Sequence, residues 1–209
     1  MHGLRTAVHV DGSINDPSAK NKSWSVEVVI PFAALYEYQK ERRAPKNGEF
    51  YRMNFSRVQW NVDIKDNAYV KRTDENGNVL PEDNWVWAPT GVINIHYPEL
   101  WSFVFFSEDR DNVPCDTTIP EDEYRKWELR KLYYAEKILF ETTGSYSDKL
   151  DVLLETLSSY APNDCNKTVK NLNYRIETTS RTFLISCPSA DASHLLLLHS
   201  NGKVEKVTL

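Results

Sequence analysis

Apolar and polar residues alternate with a period of two over most of the first 110 residues, and this spacing predicts β-strands. Residues 4–10, 23–30, 50–60 and 101–106 follow the pattern, and residues 32–43 are predicted to form a helical turn or a short helix. Segments rich in Gly, Pro, Asn and Asp separate these elements and predict turns. The side chains expected to face the core are Trp24, Val26, Val28, Ile30, Met53 and Phe55.

The pattern changes to a helical period after Pro120. Acidic residues follow this proline and favour a helix start, because they lie beside the positive end of the helix dipole. Apolar positions then recur every three or four residues, which predicts one helix up to about Thr142 and a second over residues 146–159. The strands predicted in the remainder cover 172–178, 182–187, 195–199 and 204–209, with a hairpin turn at Asn201-Gly202.

Charge and hydropathy exclude two classes of partner. The chain of 209 residues carries a net charge of −5 and has no Lys/Arg-rich tract, so it would repel a phosphate backbone, and we predict no nucleic-acid binding. The longest apolar runs are too short to cross a bilayer, so no membrane span is predicted. The first ten residues lack the charged-then-apolar pattern of a secretory signal peptide.

Neither the cysteines nor the short motifs predict catalysis or a zinc site. Cys115, Cys165 and Cys187 show no CxxC spacing and no paired histidines. Cys165 with Cys187 is the disulfide to test, and free thiols are the alternative. No GxSxG, HExxH, Walker or GxGxxG motif occurs in the chain. We therefore predict that the protein is not an enzyme.

Aromatic residues are abundant, with 6 Trp, 11 Tyr and 8 Phe. Core packing and β-propensity account for most of them, and we interpret Trp24, Trp60 and Trp101 as core residues. Flat aromatic faces also suit the apolar C–H faces of sugar rings. An aromatic-rich β protein therefore raises the hypothesis of glycan binding.

Several blocks of the first half resemble carbohydrate-binding module family nine. They read GLRTAVHVDGSINDPSAKNKSWSVEVVIPFAAL, then FYRMNFSRVQW, then NWVWAPTGVINIHYPELWSFVFF, and together span residues 3 to about 107. The resemblance implies that residues 1–112 are the C-terminal portion of an antiparallel β-sandwich, without the strands that precede it in the family. It also implies a sugar held between aromatic side chains, and an extracytoplasmic (periplasmic or secreted) location.

The resemblance implies four sugar-binding residues: Trp85, Trp87, Asn54 and Asn84. The two tryptophans alternate so that both are expected to face one side, and one of them is expected to stack on the sugar. Sandwich core is the alternative for either. Asn54 lies where the family places an amide that bonds the sugar, and Asn84 matches a second amide by its neighbourhood. An amide can donate and accept towards a diol without burying a charge.

The loop that follows the first predicted strand is rich in oxygen ligands. Asp11, Asn15 and Asp16 form a loop with oxygen ligands. Because family-nine modules bind structural calcium, an ion in this loop is implied, whereas the irregular spacing of the ligands favours an Asx-rich turn.

Arg57 is expected to lie on the same side of its strand as Met53 and Phe55. A bare charge there would be costly if buried, so we expect Arg57 to pair with Glu27 or Glu99.

The second half has a different resemblance. LRKLYYAEKILFETTGSYSDKLDVL resembles the helix-and-loop pattern of pilin-type proteins, in which a small antiparallel sheet follows a helix. The predicted fold class is therefore mainly β: a partial antiparallel β-sandwich over residues 1–112, followed by a small α+β unit over residues 113–209. The predicted function is non-catalytic carbohydrate binding as an accessory in polysaccharide use. The alternative is a structural or interaction protein that has lost its sugar site.

Overall fold

A computed structural model of the chain describes residues 2–36, 41–90, 94–108, 116–160 and 171–209. The strands in these ranges are β1 (Arg5–Asp11), β2 (Ser23–Val29), β3 (Phe50–Met53), β4 (Ser56–Gln59), β5 (Val62–Lys65), β6 (Ala68–Lys71), β7 (Asp83–Val86), β8 (Ser102–Phe105), β9 (Arg175–Thr178), β10 (Phe183–Pro188), β11 (His194–His199) and β12 (Val204–Thr208). The helices are α1 (Phe32–Leu35), α2 (Glu121–Thr143), α3 (Leu150–Tyr160) and a 3₁₀ helix, Pro98–Leu100. All strand pairs among them are antiparallel, and the chain is mainly β, as predicted.

The chain divides into two compact units, and both are discontinuous in sequence. The first comprises Met1–Glu49, Phe55–Val86 and Phe106–Val113. The second comprises Phe50–Asn54, Trp87–Phe105 and Pro114–Leu209. Short segments of the first half of the chain therefore fold with the C-terminal half.

The first unit consists of two-stranded antiparallel ribbons, in which β1 pairs with β2, β4 with β7 and β5 with β6. The β5–β6 turn has positive φ at Asp66 (51°) and Asn67 (58°), the geometry of a type I′ hairpin turn. This hairpin was not predicted. The predicted strand over residues 50–60 is also wrong, because it divides into β3 and β4, which pair with different partners and belong to different units.

The predicted burial of the first unit is wrong. Trp24, Val26 and Val28 do share one face of the β1–β2 ribbon, but their exposed fractions are 54%, 47% and 52%. Phe55 is exposed as well. The physical reason is that β1 and β2 pack chiefly against each other, so among the described residues no second layer covers the face.

The prediction that Trp24 and Trp60 are core residues is also wrong. Trp60 is exposed, as is Trp24, whereas Trp101 of the second unit is half-buried. Within the described residues of the first unit, Pro45 alone is buried.

The second unit contains the hydrophobic core. Helix α2 begins after Pro120 with three acidic residues in its first turn and ends at Gly144, whose positive φ of 75° suits a helix C-terminus. Strands β9 to β12 form a four-stranded meander, and α2 packs against α3, β10 and β11. The helix after Pro120 and the four strands are thus confirmed, while the second helix begins at Leu150 rather than at Tyr146. The buried cluster is Leu129, Leu132, Ala135, Leu153, Leu157, Phe183, Ile185, Cys187, Leu196 and Leu198.

Cys187 lies in this core, and burial raises the pKa of its thiol to about 11. The Cys165–Cys187 pairing and its free-thiol alternative stay predictions. Cys165 itself lies outside the described residues, as does Cys115.

Arg52 of β3 holds the early segments of the second unit against α2. Its guanidinium donates hydrogen bonds to the carbonyl oxygen of Trp101 (2.9 Å) and to the Glu123 carboxylate (3.2 Å). Its Cζ lies 4.3 Å from the ring centroid of Phe103, a cation–π geometry. Because the Arg52 and Glu123 side chains are both largely buried, this ion pair is little screened by solvent.

A second anchor joins the 3₁₀ helix to α2. The Tyr134 hydroxyl donates a 2.7 Å hydrogen bond to the Glu99 carboxylate, and the Tyr97 ring stacks on the Tyr134 ring with centroids 3.6 Å apart. Burial, followed by this hydrogen bond, raises the pKa of Tyr134 well above its usual range. Tyr134 therefore stays protonated and keeps donating throughout the physiological pH range.

Candidate functional site

The four predicted sugar contacts are divided between the two units. Asn84 and Trp85 lie in β7 of the first unit, and Asn54 and Trp87 belong to the second. The alternation expected to align Trp85 with Trp87 does not extend that far, because β7 ends at Val86.

The register of the β4–β7 ribbon decides what accompanies Trp85. Arg57 lies opposite Trp85, and Gln59 lies opposite Asp83, so these four side chains share one face. Asn84 lies opposite Val58 and therefore points to the other face. Consecutive residues of a strand alternate between faces, so Asn84 cannot accompany Trp85 on one side of a sugar ring. We call Arg57, Gln59, Asp83 and Trp85 the Trp85 face.

The Trp85 face combines an aromatic plane with hydrogen-bonding groups. Trp85 is 59% exposed, and the Arg57 Cζ lies 5.9 Å from its ring centroid. Arg57 Nη2 donates a 2.6 Å hydrogen bond to Gln59 Oε1. Asp83 Oδ2 accepts a 3.1 Å hydrogen bond from Asn61 Nδ2. The face offers a guanidinium, an amide and a carboxylate beside one open indole.

The predicted pairing of Arg57 with Glu27 or Glu99 is wrong. The described residues place no carboxylate oxygen within the 4.0 Å ion-pair limit of its guanidinium. Glu99 belongs to the second unit, where Tyr134 donates to it. The prediction failed because it treated residues 50–60 as one strand, whereas the chain breaks between Met53 and Ser56 and Arg57 lies on an exposed ribbon.

A second exposed indole in the first unit also has a cation beside it. Lys71 Nζ lies 3.8 Å from the ring centroid of Trp60, and Trp60 is 38% exposed. Sequence reasoning missed this pair because it assigned Trp60 to the core. The Asp66-Asn67 dipeptide was the available signal, since it marks the hairpin that places Lys71 opposite Val62, two residues after Trp60.

Asn54 and Trp87 both belong to the second unit, but of the two predicted polar and stacking contacts only the Trp87 ring is exposed. The Trp87 indole N–H donates a 3.3 Å hydrogen bond to the carbonyl oxygen of Met53, and Trp87 is 48% exposed. The Asn54 Oδ1 is buried and has no hydrogen-bond partner. An oxygen enclosed by protein cannot accept from a sugar hydroxyl, so Asn54 lacks the exposure that its predicted role requires.

The Asp11–Asp16 loop has the hydrogen bonds of an Asx turn. Asp16 Oδ1 accepts from the Ser18 N–H (3.0 Å) and the Ser18 hydroxyl (2.6 Å), and these bonds lower the pKa of Asp16. Asp11 faces Lys22 at 3.8 Å. Across the described ranges, no group of three or more His, Cys, Asp or Glu side chains could hold a metal ion. Calcium binding by this loop stays a prediction.

A Ser-His-Asp cluster in the second unit lacks the geometry of a nucleophile relay. The Ser193 hydroxyl (2.9 Å) and the Asp191 carboxylate (3.1 Å) both contact Nδ1 of His194. A relay requires the nucleophile on one ring nitrogen and the carboxylate on the other. Asp191 is instead paired with Lys206 at 2.8 Å, and this hydrogen bond, with those from Ser189 and His194, holds its pKa well below the usual range. The cluster ties the β10–β11 turn to β12.

Comparisons with known proteins leave the function to be argued from this geometry. A scan against protein-family models found no match, and searches of curated proteins and of solved structures found none either. Among the helices that the structure describes, none is long and apolar enough to cross a membrane. The Trp85 face is therefore the feature on which a functional proposal rests.

Proposed function

We propose that this chain is a non-catalytic carbohydrate-binding protein that acts outside the cytoplasm in polysaccharide use, with the Trp85 face as its glycan site. The carrying observation is an indole that is 59% exposed and shares its face with Arg57, Gln59 and Asp83. The fold that we propose around it is a partial antiparallel β-sandwich, as the family-nine resemblance implies.

The chemistry of the Trp85 face suits a sugar. An indole in water leaves a large apolar plane hydrated, and a sugar's C–H face can cover it. Gln59 can donate and accept towards hydroxyls, and Asp83 can accept from two vicinal hydroxyls. Because the face is an open ribbon rather than a deep pocket, we expect a dissociation constant on the order of micromolar to millimolar, or about 4–8 kcal/mol of binding free energy.

The alternative, an interaction protein, is favoured by a different surface. The face of the β1–β2 ribbon that carries Trp24 has no charged residue and is largely exposed. Exposed contiguous apolar surface commonly marks a protein–protein contact. The residues of this face are Thr6, Val8, Val10, Trp24, Val26 and Val28.

Replacing Trp85 with alanine tests the proposal. A glycan array first identifies the oligosaccharides that the parent protein binds. We then expect Trp85→Ala to lose at least about tenfold in affinity, measured by titration calorimetry, because the stacking plane is removed. Trp24→Ala is the matched control, since Trp24 is also an exposed strand tryptophan (54%) but has no charged residue on its face.

Circular dichroism of both variants is needed to check that they keep the fold. Equal glycan affinity of the parent and a folded Trp85→Ala variant would show that the glycan site does not include Trp85. If the parent binds no glycan at millimolar concentration, the interaction-protein alternative replaces the proposal.

A further inference from the structure

We infer that the glycan recognised at the Trp85 face is acidic and contains hexuronic acid units, whose carboxylate Arg57 binds. This inference rests on the proposed function and adds a ligand class to it. It follows from the bonding of Arg57, from a second indole–cation pair in the same unit, and from the position of Asp83.

Arg57 has unused capacity to bind a carboxylate. A guanidinium carries five N–H donors in a planar fork that matches a carboxylate. Here one nitrogen donates to the neutral amide of Gln59, and the described residues supply no carboxylate within 4.0 Å. Arg72, in the same unit, is different, because its Nε donates to Asp63 at 2.8 Å. Arg57 is thus an exposed cation whose fork is open to a ligand.

An indole beside such a cation matches the two features of a hexuronic acid. The sugar ring offers an apolar C–H face, and its carboxylate lies at the ring edge. Trp60 and Lys71 repeat the combination, with Nζ 3.8 Å from the ring centroid and no carboxylate within 4.0 Å among the residues described. Two indole–cation pairs on one unit suit an acidic polymer, which presents the same two features on every residue.

Asp83 determines which edge of the bound sugar ring lies beside Arg57. It shares the face with Trp85 and lies two residues before it on β7, opposite Gln59, whereas Arg57 lies directly opposite Trp85. A sugar carboxylate would be repelled by Asp83 and attracted by Arg57, so the carboxylate edge must point to Arg57 and the hydroxyl edge to Asp83. The net charge of −5 repels polyanions in general, so the attraction has to be local.

The experiment compares each acidic oligosaccharide with its own carboxyl-reduced, neutral counterpart. Oligomers of galacturonic, glucuronic and mannuronic acid provide three such pairs, matched in length and linkage. We expect the parent to bind at least one acidic oligomer about tenfold more tightly than its reduced form, because a charge-assisted fork contact is lost on reduction. Sodium chloride should weaken binding of the acid and leave that of the reduced form unchanged.

Arg57→Gln should abolish the preference for the acid, so that the variant binds each acidic oligomer and its reduced form with equal affinity. Arg72→Gln is the matched control, since it removes the same charge from an arginine that already has a carboxylate partner. Equal binding of acidic and reduced oligomers, or a preference that survives in Arg57→Gln, overturns the inference while the neutral binding still supports the proposed function. Absence of binding to both series and to the glycan array overturns both.

Discussion

Glu136→Gln is expected to become more stable than the parent as the pH rises. The difference between their free energies of unfolding should grow by about 3 kcal/mol from pH 4 to pH 8. Glu136 is fully buried on α2, and burial raises the pKa of its carboxyl from 4.5 to about 7. One oxygen accepts a 3.1 Å hydrogen bond from the Ser147 N–H, and the other has no hydrogen-bond partner.

The direction of this pH dependence follows from the number of protons that the folded and the unfolded states bind. Between pH 4.5 and about 7 the folded protein retains a proton on Glu136 that the unfolded chain has released, so the parent loses stability as pH rises through this window. Below it both states are protonated, and the burial penalty vanishes. Glutamine keeps the acceptor for Ser147 and never ionises, so the variant avoids the loss.

Urea denaturation at several pH values, followed by circular dichroism, measures the difference. Using the change with pH removes any constant packing effect of the amide. Glu141→Gln, at an exposed position of the same helix, should show no such change. A difference between Glu136→Gln and the parent that is the same at pH 4 and pH 8 would show that Glu136 ionises normally.

Leu132→Ala should destabilise the protein by about 2–5 kcal/mol, because Leu132 is fully buried between α2 and the rest of the core and the substitution leaves a cavity. The comparison is Val26→Ala, at a residue that is 47% exposed on the β1–β2 ribbon. There we expect a loss below about 1 kcal/mol, since little apolar surface leaves water on folding. Both free energies come from denaturation followed by the helical circular dichroism signal.

The contrast places the stabilising core in the second unit. A loss above about 2 kcal/mol for Val26→Ala would show that the apolar face of β1 and β2 is covered in solution. That outcome would favour the interaction-protein alternative, and the oligomeric state of the parent should then be measured by light scattering.

The C-terminal elements could be predicted from the sequence because local and long-range signals agree there. Pro120 and the acidic residues after it begin the helix, and Gly144 ends it. Leu129 and Leu132 mark the face that packs against the sheet, and burial confirms that face. Helical periodicity therefore predicted both an element and its environment.

In the first half, periodicity predicted strands but could not predict their environment. An apolar face has the same spacing whether or not another layer covers it, which is why Trp24 and Val28 were expected in a core and are exposed. The break between β3 and β4 carries no proline or glycine, so it left no signal in residues 50–60.

The composition of the proposed site was predicted only in part for a related reason. Trp85 was chosen from a family resemblance, and its exposure suits that role. Its companions depend on which residue of β4 lies opposite it, and cross-strand register is set by turns and pairing rather than by β7 alone. Neighbours in sequence, such as Asn84, were therefore chosen instead of the cross-strand neighbours Arg57 and Gln59.

Because segments of the two units alternate along the sequence, contacts between β3 and α2 are delayed during synthesis. Arg52 leaves the ribosome 71 residues before its partner Glu123. At about 5–20 residues per second, the interval is roughly 4 to 14 s. During this interval β3 cannot complete its native contacts, although β4 to β7 are synthesised within it and can pair with one another. The ribbons of the first unit can therefore pair during synthesis, whereas β3 waits for the C-terminal half before it reaches its partner on α2.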